Sequence, residues 1–390
     1  MAFTLIINPG SSSKKLALYQ DGKLVLESYL ERLAEGFERC VAINGVQQKC
    51  ELLPKESFRD SLINFFTLAQ EKGVIKDKTE IKKVVLRVVA PGTAFQTHCP
   101  IDERYLSKLK KVAHLAPLHL PQIIQEVESV KKNLPDCLLI AASDSAFHST
   151  IPDYIRRFSL ATNDSFDFDI YRFGYHGLSV SSVVRRLATF SHQEFKRVIV
   201  CHIGSGVSVT AVNEGKSLDT TMGYSPGSGL IMSSRAGDVS ADALLALMTQ
   251  RHLKPLDAVL YLQTSGGLKA LAGESDLRVL LERRSAGDEV ATAALASFVY
   301  QIQKALGSFV AALGGLDALV FTATAGVRSS ELRRLILSNL SGLGVKLDQD
   351  KNEICLSRDG VISADDSPVS VFVLKTDEAE EMLRVSSLFD

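Results

Sequence analysis

The chain contains no tryptophan, no CxxC pair among its six cysteines and no excess of either charge. With 44 basic against 45 acidic residues, the formal charge is −1. Broad nucleic-acid binding needs a basic surplus, so no nucleic-acid partner is expected. The pattern GxxxxGK[ST] of the P-loop is missing. So are HxH, HExxH and CxxC clusters for zinc and the GxSxG elbow of serine hydrolases. The longest apolar stretch, 309–327, is broken by Gly314, Gly315 and Asp317. It reads as the end of a core helix, a turn and a strand, so no membrane partner is expected. The opening MAFTLIINPGSSSKK has no basic leader, and its short apolar run reads as a buried strand and not a signal peptide. Cys40, Cys50, Cys99, Cys137, Cys201 and Cys355 are scattered along the chain. A chain of 390 residues builds a core without covalent staples, so a reduced, cytoplasmic protein is the expectation.

What is present is an ordinary globular composition, 46% hydrophobic and 23% charged, long enough for two domains or one large one. The chain also repeats itself. Residues 5–25 read LIINPGSSSKKLALYQDGKLV, and residues 199–218 read IVCHIGSGVSVTAVNEGKSL. Each is an apolar strand, a Gly-Ser turn, an alternating strand and a tight turn at Asp21-Gly22 or Glu214-Gly215. Gly10 and Gly204 lie 194 residues apart, Gly22 and Gly215 lie 193, and half the chain is 195. The expectation is a duplication giving two similar α/β domains with a cleft between them. Strands are expected at 83–89, 137–142, 198–203, 318–322 and 369–374, and helices at 57–72, 118–133, 179–188, 240–251 and 288–313. Asp238 and Ser240 stand as start signals before ADALLALM. A domain boundary is expected near 145–155.

The two turns, Gly10-Ser11-Ser12-Ser13 and Gly204-Ser205-Gly206, bring backbone N–H groups and hydroxyls close together, as an anion requires. Taken singly, each is also an ordinary hairpin turn; as a matched pair they point to a phosphoryl group. Asn8 and Lys15 flank the first. Arg87 is set inside VVLRVVA, where a charge is costly unless paired or used. Asp144 follows the strand CLLIAAS, His176 sits in RFGYHGLS, His202 ends an apolar strand and Arg235 lies in MSSRAGD. Each of these has a structural reading as well as a functional one.

The segments IINPGSSSKK, LRVVAPG, LAPLH, SDSAFHSTIP, RFGYHGLS, CHIGSG, GKSLDTTMGYSP, GLIMSSRAGD, ESDLR, GGLDALVFT and TDEAEE occur in the order found in acetate kinases. The chain therefore resembles that family over nearly its whole length. The resemblance implies an α/β fold of duplicated RNase H-like (actin-like ATPase) domains with an interdomain cleft. The first domain would be 1–148 with 373–390, on the carboxylate side and closed by a C-terminal helix that brings Glu378 to the cleft. The second, on the nucleotide side, would be 149–372. The implied reaction is acetate + ATP ⇌ acetyl phosphate + ADP with Mg²⁺, or Mn²⁺ in its place, by direct in-line transfer. Catalytic roles would fall to Arg87, His119, Asp144, His176 and Arg235. Arg87, Val89, Leu118, Tyr175 and Pro226 would bind the carboxylate and its methyl group. The nucleotide would meet Ser11, Ser13, Lys15, His202, Gly204, Ser205, Gly206, Asp276, Leu277, Arg278, Thr324 and Gly326. Asn8 and Glu378 would order the metal. A homodimer is implied by the same analogy.

The chain departs from the family pattern in places. Ala90-Pro91-Gly92 stands where the family has His-Gly-Gly, Ser205 where it has Asn, and Tyr175 where it has Phe. The family's FTAGIGEN becomes FTATAGVR, with Thr324 for a glycine and Arg328 for Asn. The substrate side is better kept than the nucleotide side, and some pyrophosphate-using acetate kinases are altered at Ser205 and Thr324-Ala325. A carboxylate kinase with pyrophosphate as donor stays open, as does a non-catalytic nucleotide-binding relative, though intact Arg87, Asp144, His176, Arg235 and Glu378 oppose the latter. Butyrate kinases share INPGS, but LAPLH and GYHGLS fit acetate kinases better.

Overall fold

Leu5, Ile6 and Ile7 are consecutive, and all three are buried. A strand covered on both faces reads as a continuous apolar run instead of an alternating one. It becomes β1 (Phe3–Pro9), the middle of the first sheet. The computed structural model describes residues 2–10, 13–33, 35–58 and 60–390. Ser11 lies outside them. The chain divides into two units, residues up to 146 with 378–390, and residues 147–377.

In the first unit, β2 (Ser13–Gln20), β3 (Lys23–Leu33), β4 (Gly36–Ile43), β5 (Val46–Gln47), β6 (Glu51–Leu53), β7 (Ile81–Val88), β8 (Cys99–Pro100) and β9 (Leu138–Ser143) complete a sheet. Its order is β5-β4-β3-β2-β1-β7-β9-β8, with β6 on β4. The first three strands form an antiparallel meander, and β1, β7 and β9 run parallel. The helix Leu120–Asn133 buries Ile123, Val127 and Val130 along one stripe, and the helix Ser61–Glu71 buries Leu62, Phe65, Phe66 and Ala69. The chain returns to this unit at its end through the helix Glu378–Ser386.

The second unit repeats the plan. Here β10 (Arg197–Ile203), β11 (Val207–Asn213), β12 (Lys216–Thr220), β13 (Ala318–Thr322), β14 (Gly360–Val361) and β15 (Ser370–Val373) lie in the order β12-β11-β10-β13-β15-β14. Again a meander of three is followed by parallel neighbours. The helix Gly177–Ser191 packs Val180, Val183 and Leu187 on Val198, Val200, Val212 and Val320. Each such side chain, fully buried, contributes roughly 1.5–3 kcal/mol.

The fold is thus a duplicated α/β scaffold, and the register locates the point where the repeat offset changes. Asn8 faces Lys15 across the first hairpin, and His202 faces Ser208 across the second. Counted between the paired residues, Pro9 with Lys14 and Ile203 with Val207, the first hairpin loop is one residue longer than the second, so the repeat offset falls from 194 to 193. Both meanders then turn identically. Asp21 and Gly22 have φ of 48° and 79°, and Glu214 and Gly215 have 48° and 75°. Two successive left-handed residues match the twist of the flanking strands, and glycine takes the second at no steric cost.

Several expectations need correction. The cysteines are not all unpaired: Cys40 and Cys50 form a disulfide, with Cα atoms 4.3 Å apart. The reason is local. Arg39 pairs with Glu51 between β4 and β6, which sets the next residues in, 40 and 50, face to face. The segment 57–72 is a helix only from Ser61, after a separate 3-10 turn Lys55–Phe58. Ser240 caps the helix Ala241–Arg251, but Asp238 instead accepts the N–H of Gly229. Val373 still belongs to the second sheet, so the return to the first unit begins at Glu378. Among the described residues, no helix is long and apolar enough to cross a membrane.

Candidate active site

Parallel strands present functional groups at their C-terminal ends, and both sheets do so. In the first unit, Asn8 ends β1, Arg87 sits near the end of β7 and Asp144 follows β9. Arg87 meets Asp144 through a two-pronged pair, Nε to Oδ1 at 3.1 Å and Nη2 to Oδ2 at 3.0 Å. Its Nη1 donates to Asn8 Oδ1 at 3.3 Å and to Glu378 Oε2 at 3.4 Å. Asn8 Nδ2 donates to the same Glu378 oxygen at 2.7 Å. Asp144 is 1% exposed, so this is a buried charge network. Burial disfavours the Arg87 charge, but Asp144 and Glu378 outweigh it and hold the guanidinium above the ordinary arginine range. Arg87 is therefore a cation at every working pH.

The strand end is braced from behind. His98 Nδ1 accepts the Ser143 N–H at 3.1 Å, and Ser143 Oγ accepts the Ser145 N–H at 3.1 Å. Accepting requires a neutral ring. Burial, with the nearby charge of Arg384, pushes His98 down to about 4 despite the pull of Glu381.

The two lysines after the first turn part company, as strand alternation demands. Lys14 is buried and spends its ammonium on Glu126, Ser61 Oγ and the Phe58 carbonyl, with the Phe58 ring 4.4 Å away. Lys15 is exposed, over the Tyr29 ring. Only Lys15 faces solvent beside Ser13. Val89 is buried, Leu118 is half-buried, and His119 stands at the start of the helix Leu120–Asn133.

In the second unit, His176 starts the helix Gly177–Ser191 with a left-handed backbone, φ 60°. The ring of His176 stacks on that of His202 at 3.9 Å between centroids and 19° between planes. His176 Nδ1 bonds Ser208 Oγ at 3.0 Å, and His202 Nδ1 bonds Ser179 Oγ at 2.8 Å. Glycine at 206 leaves room for both side chains: a Cβ there would stand 2.9 Å from His176 Nε2 and 3.6 Å from Arg235 Nη1. Arg235 Nη1 also donates to the Pro226 carbonyl at 3.1 Å. Tyr175 is fully buried, and its added hydroxyl is taken up by the Tyr224 carbonyl at 2.8 Å. His148 bonds the Tyr175 carbonyl and Ser217 Oγ, each at 2.9 Å, which steadies the segment carrying His176.

Ser205 is exposed at the tip of the β10–β11 turn, with Gly204 and Gly206 on either side. Asp276 caps the helix Leu277–Ser285 and pairs with Arg278, which is itself exposed. Thr324 is exposed in the short helix Ala323–Arg328 that follows β13, and Gly326 is buried there. That helix is anchored by Arg333, fully buried, which donates to the carbonyls of Gly326, Val327, Asn352 and Cys355 and to Asn352 Oδ1 at 2.8–2.9 Å. Burial pushes its pKa down to about 10. Sequence reading did not find Arg333, His98, His148, Ser179 or Ser208. Ser179 lies within the quoted RFGYHGLS segment, and Ser208 faces His202 in the hairpin, which were the available signals.

The oxygen donors of Asn8, Asp144 and Glu378 form a hard set with two carboxylates against one guanidinium. That suits a hydrated Mg²⁺ sharing substrate oxygens better than a soft transition metal.

The sequence matches the profile of the acetokinase family over residues 3–384. It is 37% identical over 385 residues to the acetate kinase of Thermotoga maritima, spanning 96% of this chain and 95% of that one. The fold is similar to the crystal structure of Porphyromonas gingivalis acetate kinase, with a TM-score of 0.87, 28% identity and all of both chains covered. It is also similar to that of a propionate kinase from Francisella tularensis, with a TM-score of 0.89, 28% identity and 99% of both chains covered. The chain belongs to the acetokinase family, whose members are carboxyl-group phosphotransferases.

Proposed function

We propose that the protein is an acetate kinase, transferring the γ-phosphoryl group of ATP reversibly to acetate to give acetyl phosphate and ADP. Family membership over the full chain makes the reaction class; the observation that carries the proposal for these residues is the Arg87–Asp144 pair at the strand ends. A carboxylate with an ordinary pKa is ionised at pH 7, so attack on phosphorus needs no general base. What remains is positioning and charge neutralisation. Arg87, fixed by Asp144, keeps a planar donor edge for a carboxylate or phosphoryl oxygen. Arg235 offers a second such edge, oriented by the Pro226 carbonyl. His176 donates to the phosphoryl oxygens, with His119 assisting. Val89, Leu118, Tyr175 and Pro226 supply apolar surface for the methyl group. Asn8, Asp144 and Glu378 would hold Mg²⁺, which when bound neutralises phosphate charge.

On the donor side, Ser11, Ser13, Lys15, His202, Gly204, Ser205 and Gly206 receive the phosphates. Asp276, Leu277, Arg278, Thr324 and Gly326 face the adenosine. Pyrophosphate is the second reading, favoured by Thr324, whose side chain stands exposed on the helix after β13. We also propose a homodimer. The helix Ala241–Arg251 buries none of its residues, and Leu245 and Leu256 are 59% and 50% exposed. Soluble monomers seldom leave such a surface open. A cytoplasmic setting completes the proposal.

Acyl phosphate trapping with hydroxylamine tests it, with acetate and propionate as acceptors, ATP and pyrophosphate as donors, and Arg235→Ala as control. Product with ATP that disappears in the variant supports the reading. Product with pyrophosphate alone transfers the donor role. No product with either donor overturns it.

A further inference from the structure

We propose that Ser208 and Ser179 are positioning residues that fix His176 and His202 as neutral Nε2–H tautomers, both rings presenting an uncharged N–H donor to phosphoryl oxygens. The inference rests on the phosphoryl-transfer reading above.

Each imidazole has its Nδ1 against a serine hydroxyl, at 3.0 Å for Ser208 and 2.8 Å for Ser179. Both serines are fully buried. Among the described residues, neither hydroxyl bonds anything but its ring. This decides the direction of the bond. If Nδ1 carried the proton and donated, the serine's own O–H would be left buried without an acceptor, which is costly. If the serine donates, Nδ1 accepts and both groups are satisfied. A neutral ring that accepts at Nδ1 carries its proton on Nε2.

Both Nε2 atoms lie along the β10–β11 turn. A Cβ on Gly204 would stand 3.8 Å from His202 Nε2, as one on Gly206 would stand 2.9 Å from His176 Nε2. Glycine at both positions keeps Cβ atoms away from that edge of the stack. Two features oppose charging the rings. Two imidazolium ions stacked at 3.9 Å would repel, and Arg235 Nη1 approaches the same point beside Gly206. Donation from a neutral N–H moves no proton, so the pair serves forward and reverse transfer alike.

The test uses the full chain labelled with ¹⁵N-histidine, with long-range ¹⁵N–¹H spectra above the ordinary imidazole titration range and His176→Gln and His202→Gln assigning the signals. The expected spectrum shows a protonated Nε2 and a bare Nδ1 on both rings. Ser208→Thr keeps the hydroxyl, and Ser208→Val removes it at the volume of the threonine variant. We expect Thr to retain the tautomer and kcat, and Val to lose both, kcat falling by about tenfold or more while the acetate KM stays within about twofold. A wild-type ring protonated at Nδ1, or a Val variant with wild-type kcat, overturns the proposal. If the wild-type protein makes no acyl phosphate, the kinase reading falls separately, and the ring spectra decide the tautomers by themselves.

Discussion

The two sheets place very different residues at equivalent positions. By register, Asn8 corresponds to His202 and Lys15 to Ser208. Arg87 corresponds to Thr322, and Asp144 to Thr376. The first unit carries a cation locked between carboxylates. At those positions the second carries imidazole and hydroxyl groups, and among the described residues the hydroxyls of Thr322 and Thr376 are buried without a hydrogen-bond partner. Even the brace behind the third parallel strand differs. The Ser143 N–H goes to a neutral imidazole, and its counterpart on Lys375 goes to the carboxylate of Asp359 at 2.8 Å. One scaffold thus supports two electrostatic designs, and what distinguishes them is whether a buried charge has been introduced and compensated.

Breaking that compensation should give the largest effect. Asp144→Ala leaves Arg87 without its two-pronged partner, and loss of one member of a buried pair costs about 3–5 kcal/mol. We expect urea unfolding to report that loss, and acyl phosphate formation to fall at least about a thousandfold. The matched change, Thr376→Val, removes an unpartnered buried hydroxyl and should cost neither stability nor activity. Equal damage from the two would erase the distinction.

Acid should weaken the first unit through His98. Its folded pKa, about 4, lies below the ordinary value of 6.5. The unfolded chain therefore binds the proton more readily. The contribution is complete above pH 6.5 and is lost as the pH falls to about 4, by about 3 kcal/mol. His98→Gln should flatten this part of the stability profile; an unchanged slope would assign it to other groups.

Opening the Cys40–Cys50 bond releases a short loop, for which chain entropy gives about 2–3 kcal/mol. Because the bond closes a hairpin of the first sheet, proteolysis near β4 and β6 should rise on reduction while the second unit stays protected. Uniform protection would show that the staple is idle. The smallest effect is a gain. Thr322→Val removes an unpartnered buried hydroxyl and should stabilise by about 1 kcal/mol, read as a higher urea midpoint.

The duplication was legible because strand, turn and tight turn recur in residues with few alternatives, Gly10 with Gly204 and Gly22 with Gly215. Arg87 was legible because a charge in VVLRVVA has no cheap structural explanation. Its grouping with Glu378, 291 residues away, came only from the resemblance. Ser179 and Ser208 were not legible as ring partners, since a small hydroxyl in a buried helix or strand looks like a packing choice until the ring beside it is seen. The Cys40–Cys50 pair was hidden because its spacing matches no motif and depends on which strands close the hairpin. The buried Lys14 and exposed Lys15 differ only by alternation, which the turn before them obscured.

The bond from Asn8 to Glu378 has a consequence for synthesis. Its partners are 370 residues apart, so all of the intervening chain must leave the ribosome before it can form. The strands carrying Asn8, Arg87 and Asp144 emerge early and can pair among themselves. The carboxylate that completes them arrives much later, in the helix that opens at Glu378. A chain interrupted before Glu378 therefore holds the arginine but lacks its second counter-charge.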